Sequence, residues 1–211
     1  MQQYSLEVSG LRKAYTRRII FENVSFRFDG PGIFGVAGAN GSGKSTLVKI
    51  IAGLLLPTQG KIIHSLDGKP VPEDETLPLV GFASPYLNFY EEFSAEENIR
   101  MLTAIRGQKI DHVLEKSLFD HFGIYDRRTD AVKAYSSGMK QRLRLIFAFI
   151  HQPSLVILDE PVSNLDTTGK EQVYSLVKLE SRAKTVIIAS NDESDLSLCS
   201  TILNIEEFKR K

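Results

Sequence analysis

The tightest constraint on this chain is local. Gly38-Ala39-Asn40-Gly41-Ser42-Gly43-Lys44-Ser45 satisfies G-x-x-x-x-G-K-[ST]. It lies between a short apolar run, Gly32 to Ala37, and a helical pattern from Lys44 to about Leu55 that Gly53 and Pro57 close. Strand, glycine-rich loop and helix in that order build an anion cradle: the glycines let the backbone turn its N–H groups inward, and the helix start adds its positive end. On this reading Gly38, Asn40, Gly41, Ser42, Gly43 and Thr46 surround nucleotide phosphates, Lys44 neutralises the β and γ phosphates, and Ser45 offers its hydroxyl to Mg²⁺. The pattern arises by chance in about one chain in a hundred of this length. A second element therefore has to corroborate it against the alternative of an ordinary turn with an exposed lysine.

The rest of the chain supplies the setting. Tyr4, Leu6 and Val8, then Phe21, Val24, Phe26 and Phe28, alternate around polar gaps and predict antiparallel strands. Lys61 to Ser65 and Val80 to Ala83 are further strand candidates. Ser94 with Glu97 forms a capping box that opens a helix from about Ala95 to Arg106, and a second helix runs from about His112 to His121 before Gly123. Strands return at Leu155 to Leu158, Thr185 to Ala189 and Thr201 to Ile205, with a helix from about Thr167 to Ser181 between the first two. Alternating strands and helices predict an α/β fold with a mostly parallel core sheet. We expect one domain over residues 1–211: an α/β core with an N-terminal antiparallel β subdomain over about 1–88 and 152–211, and an inserted helical subdomain over about 89–151.

Composition removes several classes. Twenty-six Lys plus Arg balance 26 Asp plus Glu, so no bulk basic surface speaks for nucleic acid. With 42% hydrophobic and 25% charged residues the chain is neither disordered nor collagen-like. Its apolar runs, such as Ile146 to Ile150 and Leu155 to Leu158, fall far short of the roughly 20 residues that cross a bilayer. Met1 to Gly10 shows no secretory signal, which predicts a cytoplasmic location. Cys199 has no partner for a disulfide and reads as a packing residue, and His64, His112, His121 and His151 have no metal-ligand spacing. The basic tail Lys209, Arg210 and Lys211 reads as a frayed end.

Corroboration comes from Leu155-Val156-Ile157-Leu158-Asp159-Glu160, an apolar run ending in two carboxylates. Charge at the tip of a buried strand is costly unless a cation or a proton receives it. Asp159 is thus expected to hold Mg²⁺, directly or through water, and Glu160 to polarise the attacking water.

About twenty residues upstream, Tyr135-Ser136-Ser137-Gly138-Met139-Lys140-Gln141-Arg142 resembles the signature motif of ATP-binding cassette (ABC) ATPases, which usually reads L-S-G-G-Q. Pro161 and Ser163-Asn164-Leu165-Asp166 continue the resemblance into the family's D-loop, and the motifs keep the family's order over nearly the whole chain. The resemblance implies a P-loop NTPase that hydrolyses ATP with Mg²⁺. It also implies a second cassette, identical or different, in a head-to-tail dimer. There Ser136, Ser137 and Gly138, opening a helix as an anion site, contact the γ-phosphate held by the partner's Lys44 loop, and Asp166 lies at the interface. Tyr15 occupies the place of the family's adenine-stacking aromatic. Integral membrane transporter subunits are the implied further partners, with the chain peripheral on the inner face of the membrane; nucleic acid is not. The chain's length resembles minimal single-cassette subunits such as the haem-exporter ATPase of cytochrome c maturation. A soluble ABC-type ATPase that remodels a protein or ribosome is the competing class. A small-molecule kinase would leave Ser136 to Gly138 unexplained.

Two positions depart from the family. Where it places a glutamine after the strand Val80 to Ala83, this chain has Pro85, which lacks any side-chain donor or acceptor. Where it places a histidine on the γ-phosphate, this chain has Asn191, an amide donor without charge. Hydrolysis is expected to be slowed rather than abolished while Glu160 remains, with Asn191 as a neutral substitute in the catalytic set of Glu160, Lys44 and Asn191. Val71 to Asn98 carries seven acidic residues and no basic one, with Tyr86, Phe89, Tyr90 and Phe93 among them, a composition that suits a basic amphipathic helix of a membrane subunit and equally a solvated loop with a few core aromatics. Arg127 to Arg144 has a net charge of +5. That basic stretch would draw in a nucleotide, although helix solvation explains most of it equally well.

Overall fold

The computed structural model describes residues 3–209, so Arg210 and Lys211 of the basic tail, and Met1 and Gln2 at the start, lie outside the described residues. The chain begins with a hairpin, β1 (Tyr4–Tyr15) and β2 (Arg18–Asp29). Then follow β3 (Gly32–Ala37), α1 (Lys44–Ile51), β4 (Gln59–Leu66), the short β5 (Lys69–Pro70) and β6 (Val80–Ala83). Three helices come next, α2 (Ala95–Ile105), α3 (His112–His121) and α4 (Ser137–Phe149). The chain closes with β7 (Leu155–Asp159), α5 (Thr167–Glu180), β8 (Thr185–Ser190), the one-turn α6 (Glu193–Leu196) and β9 (Thr201–Asn204).

Two sheets result. The antiparallel sheet has the order β2-β1-β4-β5, and the five-stranded sheet, parallel throughout, has the order β6-β7-β8-β3-β9. Strands β7 and β8 are buried on both faces, which is why they read as unbroken apolar runs. Their alternate residues serve different cores. Val156, Leu158, Val186 and Ile188 join the helices α2 to α5, whereas Leu155, Ile157 and Ile187 pack towards α1 and the antiparallel sheet. The helices between residues 89 and 151 thus share a core with one face of the parallel sheet.

Local signals act as expected at most boundaries. The capping box at α2 is complete: the Glu97 N–H donates to Ser94 Oγ, and the Ser94 N–H donates to Glu97 Oε2. Helix α1 stops at Ile51, one turn short of the Leu55 expectation, because a Schellman arrangement intervenes. The Gly53 N–H donates to the Ile50 carbonyl and the Leu54 N–H to the Lys49 carbonyl. Gly81 on β6 is required for another reason: a Cβ there would lie 1.9 Å from the Ala148 carbonyl oxygen. The missing side chain lets α4 rest directly on the strand.

A buried polar pair gives the antiparallel sheet a pH dependence. Tyr4 Oη lies 2.7 Å from His64 Nδ1, and both residues are buried. Burial lowers the His64 pKa from 6.5 to about 4, opposed by a hydrogen bond to the backbone of Ile51, and burial raises Tyr4, so both shifts favour the neutral forms. An unfolded chain takes up this proton below its ordinary value, while the native one resists until about pH 4. His64 therefore contributes stability that is complete above pH 6.5 and lost as pH falls towards 4, by about 3 kcal/mol. The buried His151, also lowered to about 4, acts in the same sense. Asp159, Glu160 and Asp195, held high chiefly by burial, act in the opposite one. Replacing both partners in Tyr4→Phe/His64→Phe removes the pair together and leaves only the Ile51 backbone without its imidazole partner. Urea denaturation from pH 7 to pH 4.5 should then show a smaller loss of stability than wild type; an unchanged loss would contradict the assignment.

Candidate active site

Three strand ends and one helix start converge. The loop after β3 wraps into α1, whose start at Gly43 has no side-chain cap and no acidic residue in its first turn, leaving it open to an anion. Gly43 has φ +112°, and a Cβ there would lie 2.8 Å from Ile20 Cγ2, so the motif needs glycine at this position. Lys44 is 5% exposed. Its Nζ donates to the Gly38 carbonyl at 2.8 Å and lies 3.5 Å from Glu160 Oε1.

The end of β7 meets this loop. Ser45 Oγ donates to Asp159 Oδ1 at 3.1 Å, and Ser84 Oγ donates to Asp159 Oδ2 at 3.2 Å. Burial holds the Asp159 carboxyl above its usual range, against those two hydroxyls and the charges of Lys49 and Lys44. Burial likewise raises Glu160, with Lys44 opposing. Glu160 has φ +49°, an uncommon backbone region for a non-glycine residue, and its N–H donates to the Ala189 carbonyl at 2.8 Å. Asn191, just beyond β8, donates its amide to Asn40 Oδ1 at 3.2 Å.

These groups line one cleft of about 890 Å³. It holds Asn40, Gly41, Ser42, Gly43, Lys44, Ser45, Thr46, Asp159, Glu160 and Asn191, with Pro85 at its edge. Gly38 contributes its carbonyl to Lys44 from behind the loop. Tyr15 ends β1 instead of standing in a free loop; it is half exposed at the cleft mouth, with Lys13 Nζ 4.8 Å from its ring centre. Lys13 is anchored by donating to the Leu56 carbonyl.

A divalent cation fits the donors present. Asp159 and Ser45 offer two hard oxygen ligands beside the phosphate loop, and Mg²⁺ commonly takes one or two protein oxygens and completes its shell with phosphate and water. Among the described residues no cluster of three His, Cys, Asp or Glu could hold a metal ion by protein ligands alone.

The signature residues lie elsewhere. Ser136, Ser137, Gly138 and Asp166 line a separate hollow of about 320 Å³ with Arg142. Ser136 Oγ accepts from the Met139 N–H and so caps α4. Asp166 Oδ1 accepts from the Gly169 N–H at 2.8 Å and from Arg142 at 3.1 Å, capping α5 and tying it to α4. The fully buried Gln141 donates to the Pro161 carbonyl at 2.9 Å, joining α4 to the turn after Glu160. The Lys44 loop and the Ser136 to Gly138 turn thus line two different hollows, bordered in common by Asn164.

Sequence reasoning missed Ser84, Gln141 and Arg18, which also lines the cleft. The acidic frame after β6 is also more self-contained than its composition suggests. Glu91 pairs with Lys140, Glu92 with Lys133 and Glu96 with Arg100. Tyr86, Tyr90 and Phe93 remain exposed among these pairs.

Comparison with known proteins places this geometry. The ABC transporter family model matches residues 21–163. The uncharacterized ABC transporter ATP-binding protein YybJ of Bacillus subtilis (strain 168) is 30% identical over 95% of this chain and 92% of its own. The lantibiotic transport ATP-binding protein SrtF of Streptococcus pyogenes is 31% identical over 90% of this chain and 82% of its own. A solved ATP-binding subunit of an ABC transporter superposes with TM-score 0.82 at 26% identity, covering 95% of this chain and 86% of that one.

Proposed function

The chain belongs to the ABC transporter family as an ATP-binding subunit, and from that premise we propose that it pairs head to tail on two MgATP to power a small exporter through separate membrane subunits. The observation that carries this reading is the split site. Lys44, Ser45, Asp159, Glu160 and Tyr15 meet in one cleft, while Ser136 to Gly138 open a different hollow, so neither surface completes the other within one chain. Lys44 neutralises the terminal phosphates, Glu160 accepts the proton of the attacking water, and the amide of Asn191 donates to the γ-phosphate. Ser45 and Asp159 would hold Mg²⁺. When bound, the ion would neutralise charge on the phosphate oxygens.

The exposed Tyr86, Tyr90 and Phe93 suit the face that meets a membrane subunit. Among the described residues no helix is long and apolar enough to cross a membrane. The lantibiotic transport relative supports the exporter reading; the haem-exporter version rests on chain length alone. Affinity purification of the tagged chain from solubilised membranes is expected to bring down a polytopic membrane protein, with MgATP hydrolysis in the complex. A soluble partner in its place would favour a remodelling ATPase.

Replacement of the charged switch by Asn191 makes hydrolysis slow. Asn191→Ala should lower kcat several-fold, and Asn191→His should raise it by about threefold or more, since a cationic donor stabilises developing charge better than a neutral one. Steady-state ATPase assays check this, and equal rates for all three chains would contradict it.

A further inference from the structure

The loop after β6 carries the family's missing glutamine position at Pro85, and the residue before it, Ser84, places a hydroxyl against the Asp159 carboxylate. Strand β6 pairs with β7 in parallel, with Ala83 opposite Leu158, so the next residue, Ser84, arrives beside Asp159. Ser84 is 1% exposed. The Tyr86 N–H reaches its oxygen at 3.4 Å, and its own proton goes to Asp159 Oδ2 at 3.2 Å. Pro85 disfavours helical backbone at Ser84, just past the end of β6.

Asp159 has two carboxylate oxygens and a hydroxyl on each. A cation held by Ser45 and Asp159 would take over the Oδ1 side, where Ser45 now donates. The Ser84 hydrogen bond on Oδ2 leaves that side free and fixes the plane of the carboxylate. Partners of metal ligands that act in this way orient the ligand, and their loss typically weakens metal affinity about 10- to 100-fold.

From Ser84 the contacts run on to the signature helix. Its carbonyl accepts from the Leu87 N–H at 3.0 Å, the Leu87 carbonyl accepts from Arg144 Nε at 2.9 Å, and Glu91 pairs with Lys140. Arg144 and Lys140 both belong to α4, the helix that Ser136 opens.

We propose that Ser84 is a positioning residue that sets the Asp159 carboxylate for Mg²⁺ and links it to the signature helix, from the position next to Pro85, where the family places a glutamine. The assignment rests on the MgATP reading of the cleft. It is tested without turnover by titrating Mg²⁺ into the full chain with a fluorescent ATP analogue and reading binding, alongside binding in EDTA. Ser84→Ala should require about 10- to 100-fold more Mg²⁺ for half-maximal binding, with affinity in EDTA unchanged. Ser84→Thr, which restores the hydroxyl, should return the midpoint to within about threefold of wild type. A Ser84→Ala titration that overlays wild type would overturn the proposal, as would a Ser84→Thr chain as impaired as Ser84→Ala. A wild-type chain that bound no analogue in either condition would instead overturn the MgATP reading itself, and this assignment with it.

Discussion

Glu160→Gln should reduce steady-state ATP hydrolysis by about 10²- to 10⁴-fold while leaving binding of a fluorescent ATP analogue within about threefold of wild type. Gln keeps the shape of the side chain and removes its capacity to accept a proton. The position is prepared for that role: the carboxyl is raised by burial, sits 3.5 Å from Lys44, and is carried on a backbone with φ +49° that its N–H bond to Ala189 holds in place. Gln suffers the same backbone strain, so the fold should be unaffected. Lys44→Ala is the control that behaves differently. It should lose binding as well as turnover, because it removes the ammonium held against the phosphate loop. A Glu160→Gln chain that kept more than about a tenth of wild-type activity would place the general base elsewhere.

The second large effect comes from mixing two dead chains. Lys44→Ala disables the cradle, and Gly138→Asp puts a carboxylate into the anion hollow, where even a Cβ would stand 3.1 Å from the Asn164 carbonyl oxygen. Each chain alone should lose about a hundredfold or more of its ATPase. Mixed in equal amounts, identical chains that pair head to tail would form mixed dimers as half of the population, each with one intact site. About a quarter of wild-type activity should then return. No recovery on mixing would mean that these chains do not complete one another, and that the second cassette is a different protein. The prediction needs cradle and signature to line different hollows in one chain, and they do: Ser136 to Gly138 do not line the cleft of Lys44 and Asp159, and Asn164 borders both.

Much of this site is legible without coordinates because its parts are contiguous. The order strand, Gly38 to Ser45, helix dictates a backbone path that makes an anion cradle wherever it occurs, and Leu155 to Glu160 delivers two carboxylates to a strand tip. Residues whose role depends on a neighbour in space were not legible. Ser84 reads as a loop serine before a proline until β6 is paired with β7, and Gln141 reads as one polar residue of a helix until α4 lies against Pro161. The composition of Val71 to Asn98 suggested charges held ready for a partner. Folding instead sets Glu91 and Glu92 against Lys140 and Lys133 of the basic stretch, so much of the chain's neutral balance is neutralised locally.

The sequence by itself determined the element types, the phosphate loop, the carboxylate pair and the family motifs, since each is written in consecutive residues and acts through local backbone geometry. Only the tertiary structure decided that all five core strands run parallel in the order β6-β7-β8-β3-β9, which hydroxyls hold Asp159, and that signature and cradle line different hollows. Strand register and helix docking join residues tens of positions apart. They are set by how the two cores pack on opposite faces of one sheet, and no window of sequence contains that information.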